Sequence, residues 1–318
     1  MALTLAQSAV ISTNQLSKAV QEIFVQQNPI LDRIPLMTIQ GNAFAYNEEL
    51  TLPGVAFRGV NEGYTESTGT FNQKTEGLVI LGGDADVDRF IQQTRSNLAN
   101  QRAEQTKLKV KALSFKFSDH FFNGDVATET KGFDGLKKRL TGAQVLDAAA
   151  NGLPIVGNGS SDPHVFFDKL DELLASVPGL DGSNGALYAN AAVIAKIKSA
   201  GRRIGGTEMV REDLTGKRVV QYNGIPVLDP GSTAAGAAVL PQTETVGSSS
   251  VTSSIYAVRF GSSEGDHAVT GLTNGGVQVY DLGELQEKPA LRTRIEFYVG
   301  LGVFGGRGAA RLRGVLAA

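Results

Sequence analysis

Two segments in the middle of the chain carry apolar residues at a helical period. Residues 163–177 place an apolar side chain every three or four positions, with Asp162 at the N-cap and Pro163 at the first helical position. The apolar face consists of Phe166, Leu170, Leu173, Leu174 and Val177. The pattern predicts an amphipathic helix.

A second helix is predicted over residues 190–201. Asn190 is its N-cap, and Gly201, with basic residues nearby, is its expected end. The inward-facing residues are Val193, Ile194 and Ile197. The short segment "GALYAN" between the two helices predicts a strand.

Residues 89–119 contain neither Gly nor Pro and are rich in good helix formers, so they predict a rod about 45 Å long. Its apolar stripe is thin and consists of Phe90, Ile91, Leu98, Val110, Leu113 and Phe117. Such a helix fits one side of a sheet better than a buried core. The last part, "KLKVKALSFKF", also alternates with period two, which leaves open an early end of the helix and a strand after it.

Residues 46–88 contain two strand-like runs around the polar stretch "NEGYTESTG". They predict a long antiparallel hairpin whose arms of 12–15 residues reach about 40–50 Å. A two-stranded ribbon is marginal in water, so we expect it to pack on the rest of the chain or on a neighbouring subunit. Residues 1–45, interrupted by Pro29 and Pro35, predict an extended arm with one short helix in "AVQEIFVQQNPIL". The apolar side of that helix is Val20, Ile23 and Phe24.

From Val219 onward the pattern is mostly that of strands. "RVVQYNGIPVLDP" predicts a strand, a turn and a strand, whereas the small-residue stretch 232–254 predicts a surface loop. Three further strands follow, in "SIYAVRF", "AVTGLTNGGVQVYDLG" and "LRTRIEFYVGLGVF". The last of them alternates at Ile295, Phe297, Val299, Leu301 and Val303.

The composition narrows the class of protein. A chain of 318 residues with 42% hydrophobic and 19% charged residues can bury a sizeable core. A net charge of −2 argues against a nucleic-acid binder held by bulk electrostatics. Cys is absent, which excludes disulfides, thiolate nucleophiles and Cys-containing zinc sites. Neither a signal peptide nor an apolar run of roughly 18–20 residues is found, so we expect a soluble protein made inside the cell.

Three acidic residues, Asp84, Asp86 and Asp88, are spaced like the start of a calcium loop. The segment does not match a calcium-binding loop further along. Arg89 occupies the sixth position, where Gly is required, and Arg95 occupies the twelfth, where Glu is required. We therefore interpret this segment as the end of the hairpin followed by a helix N-terminus, where carboxylates offset the helix dipole.

Two basic, glycine-bearing motifs resemble nucleotide-binding loops only in part. "TGKR" at 215–218 lacks the upstream Gly of a phosphate loop, since Arg211 stands there. "GGRGAARLRG" at 305–314 shares only its glycine content with a dinucleotide fingerprint. We expect its arginines on a solvated face or at the edge of an interface.

The three histidines, His120, His164 and His267, form no HxxxH or HxH pattern, and no GxSxG motif accompanies them. Each is expected to be structural or on the surface. A Ser/His/Asp triad built from distant residues, and with it a hydrolase, stays open as an alternative.

The strongest charge asymmetry lies in the long helix, where one acidic residue, Glu104, accompanies a basic run. The run comprises Arg89, Arg95, Arg102, Lys107, Lys109 and Lys111. We interpret this basic run as a solvated helix face. A surface that tolerates a polyanion is the weaker interpretation.

An arm, a ribbon and a thinly apolar rod commit much surface to elements that cannot bury themselves, which is typical of an obligate shell subunit. After the rod, "HFFNGDVATETKGFDGL" contains Asn123-Gly124-Asp125 and Gly135-Leu136. In this order the elements resemble the major capsid proteins of tailed bacteriophages with the HK97-type fold. In that family such a turn follows the spine helix, and here Asn123-Gly124 is expected to form a tight turn with positive φ.

The resemblance implies an α+β fold of the HK97 type with named parts. These are an N-terminal arm (1–45), an extended β-hairpin or E-loop (46–88), the spine helix of a P-domain (89–134), an A-domain (135–250) and returning strands of both domains (251–318). In that family the E-loop lies over the adjacent subunit.

The same resemblance implies a structural protein without catalytic residues, cofactor or metal. It would assemble as hexamers and pentamers into an icosahedral virion shell around double-stranded DNA, after synthesis in the bacterial cytoplasm. Implied partners are a separate scaffolding protein, a portal and decoration proteins, with weak non-specific DNA contact and no membrane. Some members cross-link through a hairpin lysine. Lys74 lies on the hairpin, but no partner Asn or catalytic Glu is identifiable, so we expect non-covalent assembly.

One alternative shares the implied fold, namely the shell of an encapsulin, a bacterial storage compartment. The long hairpin and the extended arm favour the virus, whereas an N-terminal helix that docks cargo would favour the compartment. The neighbouring genes would discriminate the two hypotheses. Genes for terminase, portal and protease would indicate the virus, and a gene for a peroxidase or ferritin-like cargo would indicate the encapsulin.

Overall fold

The computed structural model describes residues 28–95, 101–156, 163–205, 210–212 and 218–317. Its helices are α1 (Arg89–Arg95), α2 (Gln101–Asn123), α3 (Leu136–Arg139), α4 (Pro163–Ala175) and α5 (Ala191–Ile204), and 3-10 turns lie at Gly142–Gln144 and Glu264–Asp266. The strands are β1 (Leu36–Thr38), β2 (Ala43–Thr51), β3 (Thr70–Gly77), β4 (Val79–Asp88), β5 (Val145–Asp147), β6 (Leu153–Pro154), β7 (Gly185–Tyr188), β8 (Val210–Glu212), β9 (Arg218–Tyr222), β10 (Ile225–Leu228), β11 (Glu244–Val246), β12 (Ser249–Arg259), β13 (Val269–Glu284), β14 (Ala290–Val303) and β15 (Ala309–Leu316).

A four-stranded sheet in the order β1-β13-β14-β4 forms one half of the fold. β1 is parallel to β13, and the other pairs are antiparallel. The alternation predicted for the last of the three strands is confirmed: Ile295, Phe297, Val299 and Leu301 are buried in β14, and Val303 is partly buried. Helix α2 covers this apolar face, with the rings of Phe117 and Phe297 6.1 Å apart.

The predicted long helix is confirmed over α1 and α2, and residues 96–100 between them lie outside the described part. The alternative prediction that the helix ends early and "KLKVKALSFKF" forms a strand is wrong, because α2 continues to Asn123. Its apolar residues at spacings of three and four, Val110, Leu113, Phe117 and Phe121, all bury against the core, so the helical period decides the structure.

A nine-stranded sheet forms the other half. Its main order is β5-β15-β12-β7-β10-β9-β8, with β11 paired to β12 and β6 to β15. The predicted strand "GALYAN" is β7, and "RVVQYNGIPVLDP" forms the predicted hairpin β9–β10. That hairpin turns at Asn223 and Gly224, which both have positive φ, as a tight two-residue turn requires.

Helices α4 and α5 pack on each other and against this sheet. Their predicted apolar faces are confirmed, and the Asn190 side chain caps α5 by accepting the Ala192 N–H at 2.9 Å. The predicted end at Gly201 is wrong. Gly201 is buried inside α5, which ends at Gly205 in the left-handed conformation, where glycine carries no Cβ penalty. Asp162 lies outside the described residues.

The stretch 232–254 is not the surface loop that its small residues predict. It contains β11 and the first half of β12, and Val239, Leu240, Thr252, Ser253 and Ser254 are buried. Small side chains allow close packing of strands here, and the buried Thr252 hydroxyl donates to the Glu244 carbonyl at 2.7 Å.

The largest apolar cluster joins the two sheets through the end of α2. The Phe122 ring packs 5.5 Å from Tyr188 of β7 and 5.0 Å from Tyr256 of β12. The described part of the predicted arm also joins this core, since Ile30 and Leu31 are fully buried. Residues 1–27, with most of the predicted short helix, lie outside the described residues.

Within the described residues, no helix has both the length and the apolar character that crossing a membrane would require.

Candidate assembly surface

The predicted antiparallel hairpin is confirmed over β2 and β3, which pair from Ala43 opposite Gly77 to Thr51 opposite Thr70. Its extent is corrected at the far end. β4 leaves the ribbon and pairs along its whole length with β14. The ribbon therefore projects from the four-stranded sheet, and residues 52–69, called here the hairpin loop, form its end.

The hairpin loop exposes large apolar side chains that the chain itself does not cover. Exposed fractions range from 70% for Tyr64 to 108% for Phe57. The other exposed apolar residues of the loop are Leu52, Val55 and Val60, and Phe71 at the start of β3 is 70% exposed. Contiguous apolar exposure of this kind marks an interaction surface.

The hairpin loop is ordered by its own hydrogen bonds. The hydroxyls of Thr51 and Thr70 lie 2.6 Å apart, and the Ser67 hydroxyl donates to the Gly54 carbonyl at 2.9 Å. Near the tip, the Gly59 N–H donates to Glu62 Oε2 at 2.8 Å. The apolar side chains are thus presented on a preformed scaffold, which lowers the entropy lost on binding.

The base of the ribbon is anchored by a small aromatic cluster. The rings of Tyr46 and Phe304 meet edge to face at 4.8 Å, and the Tyr46 hydroxyl donates to the Val303 carbonyl at 3.3 Å. Burial, together with the nearby Glu76 carboxylate, raises the pKa of Tyr46 to about 12. The phenol is therefore neutral at physiological pH.

An ion pair ties the ribbon to α3. The two Nη atoms of Arg139 donate to the two carboxylate oxygens of Glu76, and the Nη2–Oε2 distance is 2.7 Å. The Nε atom of Arg139 donates to the Asp134 carbonyl at 2.6 Å. The side chains are only 17% and 14% exposed. Because a bidentate, largely buried pair fixes both distance and orientation, it sets the direction in which the ribbon leaves the body. No sequence signal connects these two residues, which lie 63 positions apart.

An open groove of about 870 Å³ lies beside the base of the ribbon. The ribbon contributes Tyr46, Asn47, Glu48 and Phe71 to one wall. The other wall comprises Pro178, Arg259, Glu264, Gly265, His267, Phe304, Gly305, Gly306 and Arg307. Among the aromatic lining residues Phe71 is exposed, whereas Tyr46 and Phe304 are buried. The sequence analysis missed this groove because its walls come from four distant segments.

The turn after α2 has the predicted place but not the predicted backbone. Gly124 does not have positive φ. Its N–H donates to the His120 carbonyl at 3.0 Å, and the Gly135 N–H donates to the Gly124 carbonyl at 2.9 Å. Glycine is required by this close approach, since a Cβ on Gly135 would lie 2.5 Å from the His120 oxygen. Asn123 locks the turn by donating to the Val239 carbonyl at 2.7 Å.

The three histidines occupy separate places. His120, near the end of α2, lies 3.0 Å from Glu129 through Nε2, and its Nδ1 is buried without a partner in the described residues. Lys116 and then His120 lower the pKa of Glu129. His164 is in the first turn of α4, and His267 follows a 3-10 turn in the left-handed conformation beside the groove.

The acidic triplet pairs with arginines. Arg292 binds Asp86 through Nε at 2.7 Å, and Arg294 binds Asp84 at 2.8 Å, both on the face of the sheet opposite α2. Hydrogen bonds from these guanidinium groups hold the pKa of each carboxyl below its ordinary value. Asp88 accepts the Phe90 N–H at 2.7 Å at the start of α1, as the helix-terminus interpretation predicts. Across the described ranges, no cluster of three metal-ligating residues is present.

The basic run is largely engaged. Arg89 pairs with Glu284 at 3.4 Å, Arg102 with Asp281, and Lys107 with Glu104 at 2.9 Å. Lys111 lies over the Phe115 ring at 5.5 Å, and Lys109 packs against Gly83. The side chain of Arg95 lies outside the described part. The helix thus presents paired charges, which supports the solvated-face interpretation.

The expectation for the C-terminal arginines is wrong for Arg311. It is only 9% exposed, and it binds Glu244 at 2.8 Å and the Ser254 hydroxyl at 3.0 Å. The partial phosphate-loop motif "TGKR" falls mostly outside the described residues. Lys74, the residue considered for cross-linking, lies 2.6 Å from Glu48 across the ribbon.

Known proteins match this chain by fold and, over its first half, by sequence. Residues 12–166, just under half of the chain, match the family "Major capsid protein GP7". The holo-SrpI encapsulin from Synechococcus elongatus PCC 7942 is similar at a TM-score of 0.63 with 18% identity, over 89% of this chain and 86% of that one. No curated protein matches the chain.

Two viral or virus-like shells have the same architecture. The capsid protein of the native GTA particle aligns at a TM-score of 0.60 with 14% identity, over 91% of this chain and 90% of that chain. The protein of Microbacterium phage Oxtober96 aligns at 0.56 with 13% identity, over 90% of each chain. Residues 12–166 thus resemble a major capsid protein family, and the chain as a whole has the HK97-type fold of these shells.

Proposed function

We propose that the chain assembles as hexamers and pentamers into the icosahedral head of a tailed bacteriophage, around double-stranded DNA. The match of residues 12–166 to a major capsid protein family supports a structural role in a multimeric shell, and with it a location in the virion. The observation that carries the proposal is the ordered hairpin loop, whose large apolar side chains lie uncovered at the end of a ribbon. Burying five such side chains contributes about 10 kcal/mol of hydrophobic free energy per subunit, from which the entropy cost of association is subtracted.

The observed elements support an assignment of the parts implied by the resemblance. The ribbon β2–β3 with its loop is the E-loop, the sheet of β1, β13, β14 and β4 with α1 and α2 is the P-domain, and the nine-stranded sheet with α4 and α5 is the A-domain. Residues 1–35 keep the role of an N-terminal arm, whereas β1 and the start of β2, within the expected range 1–45, belong to the P-domain sheet and the ribbon. In this assignment β4 belongs to the P-domain, so the E-loop ends near Gly77.

The mechanism is mechanical. A ribbon held at its base by Arg139 and Glu76 places its apolar loop on the next subunit, and repetition of this contact around a ring builds a capsomer. Such a heterologous contact closes when the rotation per subunit divides a full turn. No partner Asn or catalytic Glu for Lys74 is identifiable in the sequence, and Lys74 lies 2.6 Å from Glu48, so the proposed assembly is non-covalent.

The remaining partners follow from the same role. Synthesis in the host cytoplasm, a separate scaffolding protein, a portal and decoration proteins belong to this proposal. Contact with DNA is weak and independent of sequence, since the chain carries a net charge of −2 and three cations of α2, Arg102, Lys107 and Lys116, are paired with carboxylates.

An encapsulin shell is the second candidate, favoured by the likeness to the SrpI encapsulin over 89% of the chain. The two functions differ in what the particle contains. A phage head holds double-stranded DNA, whereas a storage compartment holds protein cargo.

The experiment is to produce the protein together with its neighbouring genes, purify particles and image them by cryo-electron microscopy. The proposal predicts closed icosahedral shells with nuclease-protected DNA. Shells of five- and six-fold capsomers that contain a defined protein and no DNA would favour the encapsulin. A protein that forms no shell would contradict both.

A further inference from the structure

Six asparagines of the chain are followed directly by glycine, and five of these pairs lie in the described residues. The five pairs are Asn123-Gly124, Asn151-Gly152, Asn184-Gly185, Asn223-Gly224 and Asn274-Gly275. We infer that Asn274 is a modification site, where the side-chain amide is lost without an enzyme and is replaced by an aspartate or isoaspartate carboxylate. Water is the co-reactant, and the shell function is not required for the reaction.

The reaction is an intramolecular displacement. The backbone nitrogen of Gly275 attacks Cγ of Asn274, so that a bond forms between these atoms while the bond from Cγ to Nδ2 breaks. Nδ2 leaves as ammonia with the proton of the Gly275 N–H, and a five-membered succinimide ring remains. Water opens the ring at either carbonyl, which gives aspartate or isoaspartate without any oxidant or reductant. Glycine favours the attack because no Cβ crowds its nitrogen.

In three of the described pairs, hydrogen bonds hold the nitrogen that would attack. The N–H groups of Gly124, Gly152 and Gly185 donate to backbone carbonyls at 3.0, 3.3 and 3.1 Å. The preceding asparagine side chains form hydrogen bonds of their own, at 2.7, 3.0 and 2.8 Å. Ring closure at these pairs therefore requires several hydrogen bonds to break first, which slows it.

The fourth pair is constrained by a tight turn. Asn223 and Gly224 both have positive φ and form the two-residue connection between Tyr222 and Ile225, which pair across β9 and β10. The Asn223 side chain also donates to Asp171 Oδ1 at 3.3 Å. Ring closure here would have to distort a turn whose backbone the two paired strands fix.

The fifth pair has an exposed and weakly held side chain. Asn274 is exposed. Its side chain makes one hydrogen bond to the described residues, from Nδ2 to the Gly41 carbonyl at 3.5 Å. A donor–acceptor distance of this length marks a weak bond, so the amide is nearly free to turn toward Gly275.

The backbone of the fifth pair lies in a bulge of β13. The register of β13 and β14 is interrupted between Thr273 and Val277, which leaves residues 274–276 outside the cross-strand pairs. Gly275 and Gly276 have φ of +84° and +68°, a conformation that glycine adopts without steric cost. Because no pair of the ladder has to open, ring closure meets less resistance here than within a regular strand.

The test follows the conversion of every described pair in one sample. Folded full-length protein is kept at mildly alkaline pH in water enriched in oxygen-18 and is sampled over time. Each sample is digested, and the peptides are analysed by mass spectrometry. The heavy oxygen marks conversion during the incubation and separates it from conversion during digestion. A parallel sample unfolded in guanidinium chloride gives the rate of each pair without the fold.

In the folded protein, Asn274 should convert at least tenfold faster than Asn123, Asn151 and Asn184, and also faster than Asn223. In the unfolded protein, the five pairs should react within a few-fold of one another, because the same dipeptide is then equally free. The matched variant is Asn274→Gln, which keeps the amide but lengthens the side chain by one methylene. It should abolish the isoaspartate that a carboxyl methyltransferase labels in the folded protein.

Faster conversion at any of the other four described pairs in the folded protein would overturn the inference. So would a folded protein in which Asn274 stays intact while the unfolded chain reacts. The same rank order in the folded and unfolded samples would show that the fold does not select the site, and would overturn it as well.

Discussion

At Gly135 the absence of a side chain allows two backbone segments, Gly135 itself and residues 120–124, to approach closely. An added Cβ would lie 2.5 Å from the His120 carbonyl oxygen and 2.7 Å from the Gly124 nitrogen, and backbone atoms have little room to move. We expect Gly135→Ala to lower the free energy of unfolding by about 2–3 kcal/mol. Thermal unfolding of unassembled protein measures it.

Gly63→Ala is the control for this change, because a Cβ at Gly63 meets no atom of the described residues within 4 Å. It should shift stability by less than about 0.5 kcal/mol. Equal effects of the two substitutions would contradict the account of the turn.

The buried pair of Glu244 and Arg311 gives a second prediction at this scale. With side chains 12% and 10% exposed, Glu244→Gln leaves a guanidinium group in the interior without a counter-charge. We expect a loss of about 3 kcal/mol in urea unfolding. On the same strand β15, Arg313 pairs with Asp147 in solvent, so Asp147→Asn should cost less than about 1 kcal/mol. Similar losses for both would show that burial does not decide the cost.

Among the elements, the ribbon is tied to α3 by the ion pair of Arg139 and Glu76. Arg139→Met removes the grip on Glu76 while keeping an apolar stem, so we expect β2 and β3 to exchange amide hydrogens at least tenfold faster. Hydrogen exchange followed by mass spectrometry measures this on unassembled protein. Lys138→Met, on the same helix turn but exposed, is the matched control and should leave exchange unchanged. Unaltered protection in Arg139→Met would mean that the aromatic cluster suffices.

The four-stranded sheet should be sensitive to acid. Hydrogen bonds from Arg292, then Lys288, lower the pKa of Asp86. A carboxyl whose folded-state pKa is depressed adds stability above its unfolded pKa of about 4 and loses it as the pH falls. Asp86→Asn should therefore lower the unfolding midpoint at pH 7, and the difference from the unmodified protein should shrink below about pH 4.

Asp168→Asn, on the exposed face of α4, is the matched control for the acid experiment and should change the midpoint little at either pH. A difference between Asp86→Asn and the unmodified protein that stays constant from pH 7 to pH 3 would contradict the role of the ion pairs.

Elements with a strong local period were predictable from the sequence. The faces of α4 and α5, the alternation of β14 and the Asn190 cap depend on neighbours within a few residues. The errors depend on distant partners. Part of the stretch 232–254 is strand because β11 pairs with β12, and Ser253 of β12 pairs with Val315 of β15. Arg311 is buried because Glu244 meets it from 67 positions away. No local pattern reveals such contacts.

In the assembly surface, too, features with a local sequence pattern were predictable and features that depend on distant contacts were not. The hairpin and its exposed loop were predictable, because two strand-like runs flank a polar turn. The groove and the Arg139–Glu76 anchor were not, since they form only when the ribbon base meets α3 and the turn at Gly305–Arg307. The order of the elements nevertheless predicted the HK97-type fold before any contact was known.

On the scale of the whole molecule, the described chain buries its core well but leaves one end of the ribbon uncovered. Ile30, Phe122 and Tyr256 are fully buried within the chain, so the body does not need a partner for its own packing. The hairpin loop does, because its apolar side chains have no cover in the part of the chain described here. The central claim is that this loop is buried between copies.

Sedimentation velocity of the unmodified protein beside a Val55→Ser, Phe57→Ser, Val60→Ser variant tests that claim most directly. The account predicts rapidly sedimenting shells or capsomers for the unmodified protein. It predicts a monomer with unchanged circular dichroism and thermal midpoint for the variant, since all three side chains are exposed in the single chain. Equal sedimentation of the two proteins, either as monomers at high concentration or as identical shells, would contradict it.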